Sequence, residues 1–337
     1  MKNVFGNKTI LVTGAVGSIG KELVRQLLRF SPRYVRLFDQ DESGLFDLQH
    51  ELNNPKLRFF VGNIREKDRL KVAMENVDVV FHCAALKHVM SCEYNPLEAV
   101  KTNVLGVQNI IETALECNVE KVIFTSSDKA ASPDNTMGAT KLLGERLFTS
   151  ANFYRGAKRT IFASVRFGNV IGSNGSVIPL FKNQIKEGGP LTLTDVNMTR
   201  FIMTIDGAVR LVMKCAELAK GGEIFVLKMP SMRIKDIAEV MISELAGNRK
   251  IQIKLIGPKP GETLYEELMT DEEARQIIEL EDMFVLLPKI IQKELDINFT
   301  KHYPKPKAIS ESLYVSNKAQ LIGKEEIKVM LLKEGIL

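Results

Sequence analysis

The sequence predicts an α/β fold: a doubly wound parallel sheet, followed by a smaller, partly interleaved C-terminal domain. Two observations support this prediction. Short runs of β-branched and aromatic residues alternate with segments of helical apolar spacing through the first half of the 337-residue chain, which is typical of parallel strands connected by helices. A glycine-rich turn follows the first of these runs directly, at the position where such sheets bind a dinucleotide.

Six strands and five helices are predicted in the first half. The strands are expected at 8–13, 34–38, 57–61, 77–81, 121–126 and 160–165. The helices are expected at 19–30, 41–52, 67–75, 96–117 and 136–154. Beyond residue 166 glycine and proline interrupt this rhythm, and the pattern predicts a strand at 224–227, a helix at 234–245 and a strand at 251–256.

This change of rhythm predicts two domains. We assign residues 1–168 plus about 200–227 to a dinucleotide-binding domain. About 169–199 plus 228–337 form the predicted substrate-binding domain, which would cap the sheet. Such sheets bind their ligands at the carboxyl ends of the strands, so functional residues are expected just after each apolar run.

Composition restricts the class of protein. The chain has 46 basic and 41 acidic residues, a formal net charge of +5, without the clustered basic stripes of nucleic-acid-binding proteins. No apolar stretch approaches the roughly 18 residues that a membrane helix needs, and the first residues do not resemble a signal peptide. We therefore expect a cytoplasmic protein with no nucleic acid among its partners and no membrane segment. The four cysteines show no zinc-binding spacing, so no metal site is expected.

The turn at Gly14, Gly17 and Gly20 has the features of a dinucleotide site. It joins the first strand to the first helix, and Ser18 and Ile19 lie within it. At such a turn the backbone approaches a pyrophosphate closely, and the helix N-terminus offers free N–H groups and positive potential. The glycine spacing and its strand–turn–helix context together predict a bound dinucleotide.

The end of the second strand indicates which dinucleotide binds. Asp39 lies 19 residues after Gly20. A carboxylate at this position accepts hydrogen bonds from the adenosine ribose and repels a 2′-phosphate. Gln40 follows it, and no nearby arginine is present to hold that phosphate. NAD is therefore favoured over NADP, although NADP stays possible.

Residues after the next three strands complete the predicted cofactor site. Asn63 and Ile64 follow the third strand and are placed to meet the adenine. Ala84 and Ala85 follow the fourth strand, where they can line the pyrophosphate and the nicotinamide ribose. Ser126 ends the fifth strand at the same edge of the sheet.

The candidate catalytic group follows the fifth strand. Ser127, Asp128 and Lys129 place two ionisable groups of opposite charge at the carboxyl edge of the sheet. Met137 and Lys141 lie four residues apart in the next helix, and therefore on the same helix face.

These features resemble a known family. The glycine turn and the helical residue-x-x-x-Lys pattern are similar to those of extended short-chain dehydrogenases/reductases. The closer resemblance is to UDP-N-acetylglucosamine 4,6-dehydratases of the polysaccharide biosynthesis type, in a variant with Met137 in place of the usual catalytic Tyr. It covers roughly residues 5–275, with matching blocks at 82–89, 93–106, 127–130, 166–170, 175–179, 198–201 and 260–262.

The resemblance implies an internal redox reaction. NAD+ takes hydride from the sugar C4, water leaves across C5 and C6, and hydride returns to C6. In this scheme Lys129 is the base at C5 and Asp128 the acid at C6, while Lys141 holds the nicotinamide ribose. Lys129 must be neutral to act as a base, and we expect burial and the proximity of Lys141 to lower its pKa. Because the Met137 thioether cannot transfer a proton, Asp128 or a bound water must take the C4 hydroxyl proton, and we favour Asp128.

The resemblance also implies further ligand contacts. Ser127 would hydrogen-bond the sugar 4-hydroxyl or ketone, Asn103 would lie near the cofactor, and Lys87 near both cofactor and substrate. Arg200 would clamp the diphosphate, since its planar fork fits two phosphate oxygens. The other substrate-binding residues implied are Asn169 at the diphosphate or sugar, Val177, and Glu262 at the uridine ribose.

Two alternatives stay open. One is a nucleotide-sugar 4-epimerase or 4-reductase of the same fold, which needs the missing Tyr and has no use for the pair Asp128 and Lys129. The other is a non-catalytic NAD-binding regulator. The stereochemistry at C5 and the choice between a UDP and a GDP sugar are undecided by the sequence. The resemblance further implies a homo-oligomer, a dimer or hexamer, associating through the helices at 97–117 and 136–155, and a role in surface glycan synthesis.

Overall fold

A nine-stranded sheet forms the centre of the computed structural model, which describes residues 3–173, 176–258, 261–288 and 299–337. In chain order, the strands of the described residues are β1 (Thr9–Thr13), β2 (Tyr34–Asp39), β3 (Leu57–Val61), β4 (Val79–His82), β5 (Lys121–Thr125), β6 (Ile161–Arg166), β7 (Asn169–Val170), β8 (Leu191–Leu193), β9 (Thr199–Met203), β10 (Ile224–Leu227), β11 (Ser231–Arg233), β12 (Ile253–Leu255), β13 (Ile278–Glu279) and β14 (Met283–Leu286).

Helices cover the sheet and build the region beyond it. They are α1 (Ser18–Leu28), α2 (Glu42–Leu52), α3 (Lys67–Met74), α4 (Val89–Tyr94), α5 (Pro96–Val100), α6 (Gly106–Glu116), α7 (Thr136–Tyr154), α8 (Val177–Lys186), α9 (Ile205–Leu218), α10 (Ile234–Leu245), α11 (Asp271–Ala274) and α12 (Lys324–Lys333). A π-helical turn, Lys101–Leu105, joins α5 to α6, and a short 3₁₀ turn, Asp128–Ala130, follows β5.

The sheet confirms the predicted doubly wound fold. Its strand order is β3-β2-β1-β4-β5-β6-β10-β14-β13, and every pair from β3 to β10 is parallel. The order reverses between β1 and β4, which is the point where sheets of this kind bind ligands. β14 then pairs antiparallel with β10, and β13 antiparallel with β14.

Apolar side chains pack against both faces of the sheet. On one face, α1 and α9 bury a row that includes Leu23, Val24 and Val212. On the other face, α3, α6 and α7 bury a second row that includes Ile111 and Phe148. Near-continuous apolar strands such as β1, which is buried along its whole length, are expected when helices cover both faces of a parallel sheet.

Two small sheets belong to the region that we assigned to the second domain. β11, β9 and β7 form a three-stranded sheet, and β12 pairs with β8. A separate apolar cluster packs α8, α10 and α12 together. The predicted domain boundaries differ from these strand pairings at two places. β9, which we assigned mostly to the first domain, belongs to the three-stranded sheet, and β13 and β14, which we assigned to the second domain, belong to the nine-stranded sheet. The division into two domains itself stays a prediction.

The predicted helix at 96–117 is confirmed over 96–116, but it is not α-helical throughout. α5, the π-helical turn and α6 follow one another without a gap, and α4 precedes Pro96, the first residue of α5. Asn103 is buried in the π-helical turn. Its side-chain amide accepts from the Leu86 N–H at 2.8 Å and donates to the Leu86 carbonyl at 2.9 Å. The helix is therefore tied sideways to the loop after β4, and π-helical turns are frequent at such functional positions.

A buried ionic network connects α7 to the end of β6. The Arg166 side chain has no exposed surface, and its Nη2 donates to Glu145 Oε2 at 2.7 Å. Its Nη1 donates to Glu273 Oε2 and to the Leu268 carbonyl, both at 3.0 Å. Glu145 lies on α7, whereas Leu268 and Glu273 lie beyond the small sheets. One guanidinium therefore joins three separate parts of the fold.

We expect Arg166→Leu to lower the free energy of unfolding by about 3–5 kcal/mol, because Glu145 would be buried without a partner charge. Urea unfolding measures this loss. The double variant Arg166→Leu/Glu145→Leu replaces the ion pair with apolar contacts and should recover most of the lost stability. A double variant as unstable as the single one would show that the pairing of these charges is not what the fold requires.

Candidate functional site

The glycine turn leaves room for a ligand at the N-terminus of α1. Gly14 has a left-handed φ of +68°, and a Cβ there would lie 2.6 Å from the Ala84 backbone N. A Cβ on Gly20 would lie 2.2 Å from the Gly14 carbonyl oxygen. Within the described residues no side chain caps α1, whose N-cap is Gly17, and its first turn, from Ser18 onward, has no acidic residue. A dinucleotide fits this turn, since a pyrophosphate needs close backbone approach and an uncapped helix N-terminus.

The residues predicted for the adenosine end lie around the same turn. Asp39 Oδ2 accepts from the Val16 N–H at 3.0 Å, and its Oδ1 accepts from the Asp41 N–H at 3.1 Å. Asn63 Nδ2 donates to Gln40 Oε1 at 3.0 Å. These contacts hold the ends of β2 and β3 against the glycine turn. The buried side chain of Ile64 supports Gly106 on α6.

The loop after β4 forms the floor between the turn and α7. Ala84 and Ala85 are partly exposed in this loop, and Lys87 lies on its exposed side. Asn103 holds the loop through Leu86, and its Nδ2 also lies 3.0 Å from Thr140 Oγ1 on α7. The structure therefore places Asn103 between the loop after β4 and α7, with its amide engaged by protein groups.

Two groups after β5 face the expected nicotinamide end. Ser126 Oγ is buried and, within the described residues, has no hydrogen-bond partner. Lys141 Nζ donates to the Thr125 carbonyl at 2.8 Å and lies 4.7 Å from the centre of the Phe124 ring. Burial lowers the pKa of Lys141 to about 8, although Cys83 and Glu145 act in the opposite direction. A buried hydroxyl with no partner among the described residues and an ammonium with a lowered pKa are suited to hydrogen-bond the polar groups of a nucleotide ribose.

Met137 fills an apolar cluster one turn before Lys141. It is only 4% exposed and packs with Cys92 and Ala99, with Leu86 against the same cluster. The thioether therefore takes the place of a hydroxyl without contributing a proton donor or acceptor strong enough for acid–base chemistry.

Asp128, which is buried, and Lys129, whose side chain is 28% exposed, form an ion pair on the 3₁₀ turn. Lys129 Nζ lies 3.2 Å from Asp128 Oδ1 and 3.3 Å from Oδ2. Ser127 caps this turn and donates through Oγ to Asp128 Oδ1 at 2.6 Å. The three predicted residues therefore lie together at the carboxyl edge of the sheet.

Glu266 completes this group, and sequence reasoning missed it. Its Oε1 accepts from Lys129 Nζ at 2.9 Å and lies 3.3 Å from Arg200 Nε. Its Oε2 accepts from Asn169 Nδ2 at 2.7 Å. Asn169 lies on β7 and Arg200 on β9, two strands of one small sheet, so the structure brings both to Asp128 through Glu266. The only local signal was the presence of Glu262, Glu266 and Glu267 after Gly261, which does not distinguish Glu266 from the other two.

The expected lowering of the Lys129 pKa was wrong. Burial works in that direction, but the carboxylates of Asp128 and Glu266 outweigh it and raise the pKa of Lys129. The cation that opposes them is Arg200 rather than Lys141. Burial favours protonated Asp128, yet the positive charge of Lys129 and the hydrogen bonds of Glu266 and Ser127 dominate and lower the pKa of Asp128. In the unliganded site Asp128 is therefore a carboxylate and Lys129 an ammonium.

The remaining predicted substrate residues are Arg200, Glu262 and Val177, and each contacts other parts of the protein. Arg200 is almost buried, and its Nη2 donates to the Thr263 carbonyl at 2.7 Å. Glu262 Oε2 accepts from Thr194 Oγ1 at 3.0 Å. Val177 begins α8 and packs against the apolar cluster of α8, α10 and α12. Gly175 and Pro260, which belong to two of the matching blocks, lie outside the described residues.

Neither a metal-binding group nor a membrane-spanning helix occurs among the residues that the structure describes. The described residues contain no group of three or more His, Cys, Asp or Glu side chains arranged to hold a metal ion. In the same part of the chain, no helix has both the length and the apolar composition needed to cross a membrane.

Comparisons with known proteins identify relatives over nearly the whole chain. A family model described as polysaccharide biosynthesis protein matches residues 10–288. A protein of Methanocaldococcus jannaschii named an uncharacterized membrane protein is 55% identical and covers 98% of this chain and 97% of its own length. A Campylobacter jejuni UDP-N-acetylglucosamine 4,6-dehydratase (inverting) is 41% identical over 88% of each chain.

Other matches carry different names. A UDP-glucose 4-epimerase of Rickettsia rickettsii is 38% identical and covers 98% of this chain and 96% of its own. The X-ray structure of Pen from Bacillus thuringiensis superposes with a TM-score of 0.90, at 46% identity and with 98% of both chains covered. The fold is therefore shared with close relatives, while the names of the relatives differ in the reaction they state.

We expect Gly14→Ala to weaken NAD+ binding by at least about tenfold, a loss of about 1.4 kcal/mol, and to lower the melting temperature. The new Cβ must displace the Ala84 backbone, and the alanine must also adopt a left-handed φ. Gly156→Ala is the matched control, because Gly156 has a similar φ of +59° but no heavy atom within 4 Å of the added Cβ. Calorimetric titration with NAD+ and thermal melting would compare the two. Equal effects would mean that only backbone strain matters at Gly14.

Proposed function

The chain belongs to the polysaccharide biosynthesis protein family, and we propose that within it the chain is a 4,6-dehydratase that acts on UDP-N-acetylglucosamine with NAD as its cofactor. The product would be a UDP-2-acetamido-2,6-dideoxy-4-keto-hexose, with or without inversion at C5, for surface glycan synthesis. One observation carries the proposal: the buried carboxylate of Asp128 and the ammonium of Lys129, whose side chain is 28% exposed, form an ion pair at the same sheet edge as the dinucleotide turn.

Asp128 is suited to take the first proton. NAD, when bound, supplies the acceptor for hydride from the sugar C4 and the donor that returns hydride to C6. Loss of that hydride requires that the C4 hydroxyl lose its proton, and a carboxylate with a lowered pKa is in the state that accepts one. Asp128, once protonated, is then the acid for the departing C6 hydroxyl. Ser127, 2.6 Å away, orients the carboxylate.

Lys129 is the group placed to remove the C5 proton. Its amine can do so only after the ammonium has released a proton to solvent, to which 28% of the Lys129 side chain is exposed. The two carboxylates disfavour that release in the unliganded site. Protonation of Asp128 by the sugar hydroxyl removes one of those charges and so lowers the pKa of Lys129. The C4 step therefore prepares the group that acts at C5.

The outer residues support a diphosphate and a nucleoside. Arg200 lies on β9, the central strand of the three-stranded sheet, and its planar guanidinium fork is suited to two phosphate oxygens. Asn169, Val177 and Glu262 would complete this part of the substrate site. Asp39 supports NAD over NADP, because its carboxylate lies where a 2′-phosphate would be repelled.

The epimerase alternative has one observation in its favour, the names of similar Rickettsia proteins. An epimerase returns hydride to C4 and leaves C5 and C6 unchanged, so it has no use for a base at the position of Lys129. A non-catalytic regulator would have no need for the ion pair of Lys129 with the buried Asp128.

Exposed apolar side chains support the proposal of a homo-oligomer. Tyr94 is 80% exposed and Leu97 72% exposed, and further apolar residues are exposed on α5, on the π-helical turn before α6 and on α7. Apolar residues exposed together on helices are typical of an interface with another chain.

The proposed reaction is tested with UDP-N-acetylglucosamine in heavy water, without added NAD and then with it. We expect the mass to show loss of one water and proton NMR to show one deuterium at C5. The coupling constants report which face of C5 is reprotonated. A product that differs only in C4 configuration would establish the epimerase instead, and an unchanged sugar in the presence of bound NAD would contradict both enzymes for this substrate.

We expect Asp128→Asn to lower turnover by about 10²–10⁴-fold, the usual contribution of a general acid–base group, while NAD stays bound. The amide is nearly the same size but cannot accept the C4 proton. Asp47→Asn, an exposed position on α2, is the matched control and should keep its activity. Dehydration rate and bound NAD, measured on the same preparations, check both statements, and normal turnover in Asp128→Asn would refute this role.

A further inference from the structure

We propose that Glu266 is a positioning residue of this site: its carboxylate holds Lys129, Asn169 and Arg200 together and determines over which pH range Lys129 acts as a base. The proposal rests on the proposed dehydratase function. Glu266 belongs to none of the matching blocks, and it follows the small sheets along the chain.

The first argument is geometric. Glu266 Oε1 contacts Lys129 Nζ at 2.9 Å and Arg200 Nε at 3.3 Å, and Oε2 contacts Asn169 Nδ2 at 2.7 Å. The Phe201 N–H lies 3.4 Å from Oε2. Four N–H donors therefore converge on one carboxyl group, and three of them belong to side chains that we assign to the substrate.

The second argument is how firmly Glu266 is held. Its backbone N–H donates to Ser316 Oγ at 2.9 Å, and the Ser316 N–H donates to the Glu266 carbonyl at 2.9 Å. Ser316 Oγ also lies 2.8 Å from Thr199 Oγ1 on β9. The Glu266 side chain is only 4% exposed, so its carboxyl has little freedom to move away from the three side chains that it contacts.

The third argument concerns charge. Lys129 faces three charged groups: Asp128 from its own turn, Glu266 from the far side and Arg200 from β9. Burial and the charge of Asp128 raise the pKa of Glu266, while Lys129 and Arg200 oppose that rise. A hydrogen bond between the Glu266 and Asp128 carboxyls adds to the rise, since it places a proton between the two groups. The four N–H donors act against it, because they are partners for the ionised form of Glu266, which is an acceptor only.

The consequence for the reaction follows from the order of steps. When Asp128 accepts the C4 hydroxyl proton, its charge is lost and Glu266 is the one carboxylate still acting on Lys129. The pKa of Lys129 during C5 proton removal is then determined by Glu266, with Arg200 opposing it. Lys129 works as a base only when neutral, so C5 exchange should increase as the pH rises through that pKa.

The test isolates the C5 step. The keto product, prepared with the wild-type chain, is incubated with each variant in heavy water, and deuterium entering C5 is followed across pH. In Glu266→Gln the negative charge is gone, so the pKa of Lys129 falls. We expect the rising part of the pH profile to move to lower pH by at least about one unit, the smaller end of the effect of one close opposite charge. The maximal rate should fall about tenfold or more, because Lys129 is no longer held in position.

Two further variants keep the test decisive. Glu267→Gln makes the same change at the next residue, whose Oε2 accepts from Ser132 outside this group, and should leave the profile in place. Glu266→Asp keeps the charge but shortens the side chain, so we expect a reduced rate with little movement of the profile. Thermal melting and bound NAD show whether Glu266→Gln folds. If it does not, Glu266→Asp decides whether the proposal holds, through its C5 exchange rate and pH profile.

The outcomes separate the two proposals. A wild-type chain that forms no keto product would show that the dehydratase function is wrong, and the role of Glu266 in it falls as well. A wild-type chain that exchanges C5, together with a Glu266→Gln profile that does not move, would overturn the role of Glu266 alone. A Glu266→Asp variant with the wild-type rate would likewise overturn it.

Discussion

Buried charges must be paired, and this constraint determines how the region after residue 261 lies on the sheet. Arg166 is paired with Glu145 from α7 and with Glu273, and Lys129 is paired with Asp128 and with Glu266. In both cases one carboxylate comes from the first half of the chain and the other from residues 266–273. Because an unpaired buried charge costs several kcal/mol, this short segment is held against the carboxyl edge of the sheet.

The same pairing connects the fold to the chemistry. Glu145 lies one helical turn after Lys141 on α7, so the network that anchors the helix also acts on the lysine of the cofactor site and partly offsets the lowering of its pKa. Asn103 holds the other side of α7 through Thr140. The surroundings of Lys141 are therefore fixed by protein groups on both sides of α7.

Local patterns in the sequence predicted the sheet and the dinucleotide turn well, but they could not predict the partners of the buried charges. β3 and α7 were expected at their observed bounds, because apolar spacing and N-capping act over a few residues. Glu266 meets Lys129 across 137 positions of the chain and Asn169 across 97. The direction of the Lys129 pKa depends on those distant carboxylates, which is why an expectation based on burial and on Lys141 had the wrong sign.

The charges of Asp128 and Lys129 in the unliganded site determine the order of steps in the proposed reaction. With Met137 packed among apolar side chains, the group near the sugar that can accept the first proton is Asp128, and it is ionised. Lys129 begins as an ammonium, so it cannot remove the C5 proton first. Hydride loss from C4 must therefore precede elimination, which also follows from the chemistry, because only the C4 ketone makes the C5 hydrogen acidic. In the proposed reaction, the charge of Lys129 and the acidity of the C5 hydrogen therefore require the same order of steps.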